Sequence, residues 1–376
     1  MKNIIGSIVE KENFFGREKE IKSAGKLLED GNSLILAAPR RVGKSSFAKK
    51  LIGNVETNNW KGFYIDLEKV KTEPDFIKQF LILLKGENWW EKFHLDNFKI
   101  SVSQGGIEAI FDIGKRRDVY NKIEKELPHD KDTLIVMDEL TIFLNNLHCG
   151  DEKDGNCESF LNWLRGLRQV TGTKIRWIFC SSISIESFAH IHGFSYTIND
   201  IVNFQIDELQ GDEPVLFIKE LAKSKKLIFT DDEIQYLLNK LGWKLPFYIQ
   251  LLIKEIGELA DNGMVTKNII NQAYQNATST KSTHFNTWIE RLKNYGDNKP
   301  FALTILRELA KVKTSKSKAN LKNLIYEKIN DVDKTEEILN QLLLALENEG
   351  YIISRSGKYS FRSPFLKDFW VNRFIK

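Results

Sequence analysis

Between Ser33 and Ile52 the sequence reads SLILAAPRRVGKSSFAKKLI, and few folds can accommodate that order of residues. Ser33 to Ala38 is a short apolar run of the buried-strand kind. Pro39 to Val42 breaks the run, because proline fixes φ and supplies no donor. After Gly43-Lys44-Ser45, the apolar residues Phe47, Ala48, Leu51 and Ile52 recur at helical spacing. Strand, loop, Gly-Lys-Ser and helix together give the context that a phosphate loop requires. Backbone N–H groups of the loop and of the helix N-terminus converge on one spot, where the helix dipole favours anions. Ala38, Pro39, Arg40, Arg41, Val42, Gly43, Lys44, Ser45 and Ser46 are therefore the candidate phosphate-binding residues. In this geometry Lys44 reaches the β- and γ-phosphates, and the Ser45 hydroxyl holds Mg²⁺. One position departs from G-x-x-x-x-G-K-[ST]: Ala38 stands where the first glycine would be, so the loop must accept a Cβ there.

A second apolar run, Thr133 to Leu140 (TLIVMDEL), reads as a buried strand ending in two carboxylates. In open α/β folds ligands bind at the carboxyl edge of the sheet, which is where Asp138 and Glu139 fall. Asp138 is expected to position Mg²⁺ and its waters, and Glu139 to orient or activate an attacking water. Alone, an apolar run ending in Asp-Glu is a weak signal. Downstream of a phosphate loop it becomes strong, because hydrolysis needs both parts. The next helix, from Ser159 to about residue 170, carries Arg165 and Arg168 three apart on one face. They are the candidates for an arginine acting on a neighbouring subunit's site. Arg40 and Arg41 compete for that role from within the chain, and surface salt bridges would occupy all four as well. Ile175 to Cys180 is a further buried strand, followed by Ser181 and Ser182, which also suit helix capping before Ile185.

These strands and helices alternate through residue 206, giving an α/β parallel-sheet core over 1–206, with a β-hairpin insertion at about 86–117 signalled by Gln104-Gly105-Gly106. From Asp207 the strand signal fades, and helical patterns at 212–226, 231–241, 246–259 and 266–277 predict a helical lid over 207–297. Residues 298–376 read as three helices, a hairpin around Ser356-Gly357 and a closing aromatic helix, which is a winged-helix order. A net charge of +4 on 376 residues excludes a strongly polybasic nucleic-acid binder. Three cysteines form no disulfide framework, and no 18-residue apolar run or signal-peptide pattern occurs, so a soluble cytoplasmic protein with no membrane partner is expected.

With those pieces in order, the chain resembles the archaeal-type ATPases, which belong to the STAND branch of the AAA+-like P-loop ATPases. The resemblance rests on Asn13-Phe14-Phe15-Gly16-Arg17-Glu18, on Ala38 to Ser46, on Val136-Met137-Asp138-Glu139, on the strand ending in Cys180-Ser181-Ser182, on the turn from Gly242 to Pro246, and on Phe361 to Leu366. The strand before Ser181 lacks the glycine of the family pattern. The family implies ATP and Mg²⁺ as cofactors, with Phe15 and Gly16 beside the adenine and Pro246 over base and sugar. It also implies that Ser181, with Ser182 close behind, senses the γ-phosphate. For Phe14 and Phe15 a hydrophobic staple is the other reading. The implied function is an ATP-binding and slowly ATP-hydrolysing regulatory switch. Its output is a separately encoded protein partner or effector, including in defence against mobile elements, and homo-oligomers occur. The alternative is a DNA-binding initiator or transposition-type ATPase. Against it stand Asp331, Asp333, Glu336, Glu337, Glu347 and Glu349 on or beside the third helix of the terminal module, because carboxylates repel phosphates. The lysines Lys311, Lys313, Lys316, Lys318 and Lys322 cluster on the preceding segment.

Overall fold

Ile21, Ala24 and Leu28 bury one side of helix α1 (Glu18–Glu29), and the apolar run after it forms strand β1 (Leu34–Ala37). The computed structural model describes residues 1–87, 99–103, 106–110, 116–148, 156–181 and 184–375. They group into two units, neither of them continuous in sequence. One comprises Glu18–Ala37 and Lys44–Gln205; the other comprises Met1–Arg17, Ala38–Gly43 and Ile206–Lys376. The segments expected as lid and terminal module share the second unit, together with residues 1–17 and 38–43.

In the first unit, α2 (Lys44–Thr57) leads to β2 (Lys61–Asp66) and α3 (Glu73–Lys85). A two-stranded antiparallel pair follows, β3 (Lys99–Ser103) with β4 (Gly106–Ile110), in register from Lys99↔Ile110 to Ser103↔Gly106. The expected hairpin is thus present in its strands, while its turn residues Gln104 and Gly105 lie outside the described residues. Then come α4 (Arg116–Glu126), β5 (Thr133–Asp138), α5 (Leu140–His148), α6 (Asn156–Gln169), β6 (Ile175–Cys180), α7 (Ile185–Ile191) and β7 (Val202–Gln205). The five-stranded sheet runs β2-β5-β6-β1-β7 and is parallel throughout. This is the α/β class that the alternation predicts. Every residue of β5 is buried, as a central parallel strand covered by helices on both faces requires. The covering helices contribute an aromatic cluster in which Phe76 meets the edge of Phe160 at 4.9 Å and Tyr120 stacks on Trp163 at 4.5 Å. Such pairs add about 0.5–1.5 kcal/mol each beyond the area they bury.

One element is a correction. The sequence reading runs the β5 signal through Leu140 and assigns no helix before residue 159, yet α5 starts at Leu140 directly after the carboxylates. Leu140, Phe143, Leu144 and Leu147 are buried at helical spacing, but the strand run merges into them without a polar break.

In the second unit, α8 (Glu213–Lys225), α9 (Asp231–Leu241), α10 (Pro246–Leu259) and α11 (Lys267–Thr278) follow the expected helical spans within a residue. A short helix, α12 (Asn286–Arg291), was not expected. The C-terminal segment runs α13 (Lys299–Lys311), β8 (Lys316–Ser317), α14 (Lys318–Ile329), α15 (Val332–Asn348), β9 (Ile352–Arg355), β10 (Lys358–Phe361) and α16 (Pro364–Phe374). Its strands form an antiparallel sheet in the order β8-β10-β9. The core of this unit joins both segments: Phe365 of α16 meets the edges of Tyr248 and Phe285 at 5.3 Å. Gly242 must be glycine for two reasons. Its φ is +64°, and a Cβ would stand 2.5 Å from the Pro364 ring. Among the described residues no helix is long and apolar enough to cross a membrane.

Candidate functional site

The sheet register decides which side chains of the first unit meet. Asp66 of β2 pairs with Asp138 of β5, Met137 pairs with Phe179 of β6, and Cys180 pairs with Leu36 of β1. The carboxyl ends of four strands therefore lie level, with β5 continuing into Glu139 and β6 into Ser181. Asp138 is 3% exposed. Its Oδ2 accepts a hydrogen bond from the Tyr64 hydroxyl at 2.6 Å, and its Oδ1 accepts the Glu139 N–H at 2.9 Å. The Ser45 side chain, on the first turn of α2, is hydrogen-bonded to the same carboxylate. Burial pushes the Asp138 carboxyl above its ordinary value; the Ser45 and Tyr64 hydrogen bonds oppose that shift, and the nearby Glu139 charge adds to it. Tyr64 is pushed strongly upward by burial first and by the Asp138 charge second. Lys49 Nζ lies 4.9 Å over its ring.

Lys44 is buried, and no acidic residue occupies the first turn of α2. The helix N-terminus therefore keeps its positive end for an incoming anion. Cys180 is fully buried, and its thiol, pushed up by burial, feels the charges of Asp138, Lys44 and Glu139. All three groups thus gather around the end of β6. Ser181, the next residue, is 6% exposed; Ser182 lies outside the described residues. Ser46 is buried within α2. Glu139 has a left-handed backbone, φ 55°, in the turn between β5 and α5.

Arg168 is engaged within its own chain. Its guanidinium donates to both Asp200 carboxylate oxygens at 2.8 and 2.9 Å and to the Thr197 carbonyl at 2.6 Å. The Arg168 side chain is 4% exposed, so reaching a neighbouring subunit would break its pair with Asp200. Arg165 is half-buried, with its Cζ 5.8 Å from the Tyr196 ring.

In the second unit the loop residues Ala38–Gly43 are held individually. Arg17 is 2% exposed and donates from Nη2 to the carbonyls of Val42 at 3.1 Å and Asp207 at 2.7 Å. Its backbone N–H donates to Glu213 Oε1 at 2.6 Å. A Cβ on Gly16 would stand 2.9 Å from that same oxygen, which explains the glycine. Arg40 Nη1 donates to the Thr287 carbonyl at 3.2 Å. Arg41, at φ 66°, donates to the Gly6 carbonyl at 3.3 Å and lies 4.6 Å over the Phe247 ring. A Cβ on Gly350 would meet Pro39 and Trp243 at 2.8 Å. Phe15 packs against Phe217 of α8 at 5.1 Å, and Pro246 opens α10 in its first turn. Val42 is buried and Gly43 takes φ 97°.

Sequence reasoning missed two groups here. Tyr64 lies in a strand whose alternation gives no hint of a hydrogen bond to Asp138. Asp207, Trp243 and Arg362 form a set of their own: Arg362 pairs with Asp207 and lies 4.7 Å over the Trp243 ring, whose Nε1 donates to Asp207 at 3.1 Å. Arg17 stood inside the quoted Gly-Arg-Glu motif but had no role in that reading.

A polarised carboxylate, a helix-start serine and a buried lysine at the edge of a parallel sheet define the P-loop nucleotide-binding class. Comparison with known proteins agrees with that class. No family model matches the chain. In sequence it is similar to an uncharacterized ATP-binding protein of Methanocaldococcus jannaschii, 29% identical over 262 residues, which cover 65% of this chain and 72% of the relative. The Walker-type ATPase of Pyrococcus abyssi shares its fold with a TM-score of 0.65 at 18% identity, covering 98% of this chain and 99% of that one. The ORC2 protein of Aeropyrum pernix, solved in ADPNP–ADP complexes, has a TM-score of 0.57 at 11% identity over 97% and 98% of the two chains. The chain therefore has the fold of the archaeal Walker-type P-loop ATPases and is related in sequence to archaeal ATP-binding proteins, as the motifs implied.

Proposed function

We propose that the chain is an ATP-binding and ATP-hydrolysing regulatory switch acting on a separately encoded protein partner. The observation that carries this reading is the buried Asp138 carboxylate, held by Ser45 and Tyr64 beside Lys44 and Glu139. A serine hydroxyl and a carboxylate are the hard oxygen donors that suit Mg²⁺ alongside phosphate oxygens and water. When bound there, Mg²⁺ offsets charge on the transferring phosphate. The residues of the chain then have separate tasks. Lys44 and the first N–H groups of α2 orient the phosphates. Glu139 accepts a proton from the attacking water, and Ser181 senses the terminal phosphate. Phe15, Gly16 and Pro246 serve the base and sugar. Arg165 is the residue kept in view as the arginine for a neighbouring subunit.

In this reading residues 207–297 act as the lid and 298–376 as a winged helix. The order of helices with a β8-β10-β9 sheet supports that name. The exposed face of α15 carries Val332, Asp333, Lys334, Glu337, Asn340, Gln341 and Leu344, a set without net positive charge, which supports protein docking over a phosphate backbone. Defence against mobile elements is one setting for such a switch.

The test is ATP binding and turnover by the full chain, with and without duplex DNA, beside Lys44→Ala. Tight ATP binding that Lys44→Ala abolishes, with turnover indifferent to DNA, is the expected outcome. Unchanged affinity in the variant would defeat the reading. Strong stimulation by DNA would favour the initiator-type alternative.

A further inference from the structure

Tyr64 joins Ser45 to Asp138, the two side chains suited to a metal. Side chains alternate between the faces of a strand, and the register pairs Tyr64 with Val136 and Asp66 with Asp138. Tyr64 therefore shares a face of the sheet with Asp138, its diagonal neighbour, a separation that an aromatic side chain spans. The Tyr64 hydroxyl donates to Asp138 Oδ2 at 2.6 Å and is also hydrogen-bonded to the Ser45 side chain. Lys49, one turn beyond Ser45 in α2, places its Nζ 4.9 Å over the phenol ring. The helix that supplies Ser45 thus also seats the ring, and Ser45, Lys49, Tyr64 and Asp138 all belong to the first unit.

An ionised carboxylate offers about four lone-pair sites. On Asp138 the Tyr64 hydroxyl takes one at Oδ2, the Glu139 N–H takes one at Oδ1 at 2.9 Å, and the Ser45 side chain takes a third. Both oxygens are therefore engaged by the chain itself. The carboxylate has room for one further bond, not for chelation through both oxygens. That difference separates two common cations. Mg²⁺ is small, keeps several waters and is satisfied by a single carboxylate oxygen. Ca²⁺ is larger, gathers about six to eight oxygens and readily takes a carboxylate through both of its own. Of the three bonds, that of Glu139 comes from the backbone and that of Ser45 from a metal donor. The Tyr64 bond is the one that a side-chain change removes while leaving the other two.

We propose that Tyr64 is a specificity-determining residue, which makes the site take Mg²⁺ in preference to Ca²⁺ by holding Asp138 to one metal-facing bond. This rests on the nucleotide reading above and deepens it, since it concerns the cation that accompanies the nucleotide. Tyr64 acts through the orientation of Asp138 and Ser45.

The experiment measures by calorimetry the affinity of full-length wild type and Tyr64→Phe for ATP with Mg²⁺, with Ca²⁺ and with EDTA. Phenylalanine keeps the ring and removes only the hydroxyl. Wild type is expected to bind ATP more tightly with Mg²⁺ than with Ca²⁺. In Tyr64→Phe that preference should fall about tenfold, because Oδ2 is freed for a second bond to the larger cation in place of a hydrogen bond to a charged group. A preference unchanged in Tyr64→Phe overturns the assignment. So does a loss of affinity that is equal with Mg²⁺, Ca²⁺ and EDTA, the signature of a ring that merely supports the strand. Should Tyr64→Phe not fold, Tyr64→Leu, likewise without a donor, is read in its place. Wild type can also overturn the assignment alone, by binding ATP as tightly with Ca²⁺ as with Mg²⁺. A wild-type chain that binds no ATP under any of the three conditions overturns the nucleotide reading itself, and that result is visible before any variant is made.

Discussion

Glu139 carries its carboxylate on a backbone that L-residues rarely adopt, φ 55°, at a cost of about 1–3 kcal/mol. Asparagine or glycine would sit there more comfortably, so the side chain has to be worth the strain. Glu139→Gln is expected to bind ATP as wild type does and to lose turnover by about 10²–10⁴-fold, because an amide cannot take the water's proton. Single-turnover hydrolysis at the wild-type rate would move the base elsewhere. Asp138 gives a second prediction. Its carboxyl already sits above the ordinary value through burial, and the Tyr64 hydroxyl is one of three hydrogen bonds pulling it back down, with those from Ser45 and the Glu139 N–H. Tyr64→Phe should raise it further and shift the acid limb of kcat/KM to higher pH. The signs differ for stability and function. A raised folded pKa stabilises the fold at pH below the ordinary carboxylate value of about 4, and that contribution is lost as pH rises through the folded pKa. Metal binding, which needs the ionised form, is lost in the other direction. An acid limb that stays in place in Tyr64→Phe would show that Asp138 does not govern it. At this scale Lys44, Ser45, Asp138 and Glu139 were legible because their spacing is fixed by strand and helix starts. Tyr64 was not, since nothing local in sequence marks a partner across the sheet.

Among the elements, the helices with strong caps were the ones read well. Thr72, Thr230, Thr266 and Ser317 each accept a hydrogen bond from the first turn that follows, and such residues are visible signals. Helix α12 has no side-chain cap, β8 is two residues long, and α5 is fused to the strand before it; each lacks its own punctuation. Helices α14 and α15 show the limit of counting charges along a chain. Glu336, expected to help repel DNA, turns toward α14, where Lys318 at 2.6 Å and Lys322 at 2.7 Å hold its pKa down to about 2. Glu308 likewise meets Lys311 at 2.5 Å and Lys316 at 3.3 Å. Two carboxylates therefore offset part of the charge of the basic cluster. Glu336→Gln should raise the affinity of the full chain for duplex DNA severalfold at low salt and steepen its salt dependence by about one to two ions. Fluorescence anisotropy at two salt concentrations measures this. An unchanged slope would mean that these lysines cannot reach a phosphate backbone even when released.

For the whole molecule, the decisive feature is that neither unit is continuous in sequence. A cut after residue 205, natural for a sequence reading that ends its core at 206, separates residues 1–17 and 38–43 from the unit they pack in. Arg17 would lose Glu213 and Asp207, Arg40 would lose Thr287, and Pro39 would lose Gly350. A 1–205 fragment is therefore expected to keep the parallel sheet and to bind ATP at least tenfold more weakly than the full chain. Hydrogen exchange at residues 40–43 should be faster in the fragment. Full affinity in the fragment would show that the loop needs none of those contacts. The sequence motif alone gave no sign of this dependence, because the hydrogen bonds join residues 190 to 247 positions apart and the Pro39–Gly350 contact spans more.

That separation has a consequence during synthesis. Arg17 and Glu213 are 196 residues apart, so a ribosome adding about 5–20 residues per second exposes the first roughly 10–40 seconds before the second exists. The loop waits longer still for Thr287 and Gly350. A nascent chain thus displays its Gly-Lys-Ser signature early but cannot set Arg17, Arg40 and Pro39 in place until residues 213, 287 and 350 have been translated. Tight binding of nucleotide therefore waits for residues 207, 213, 287 and 350, and a product that stops short of them carries the motif without these supports.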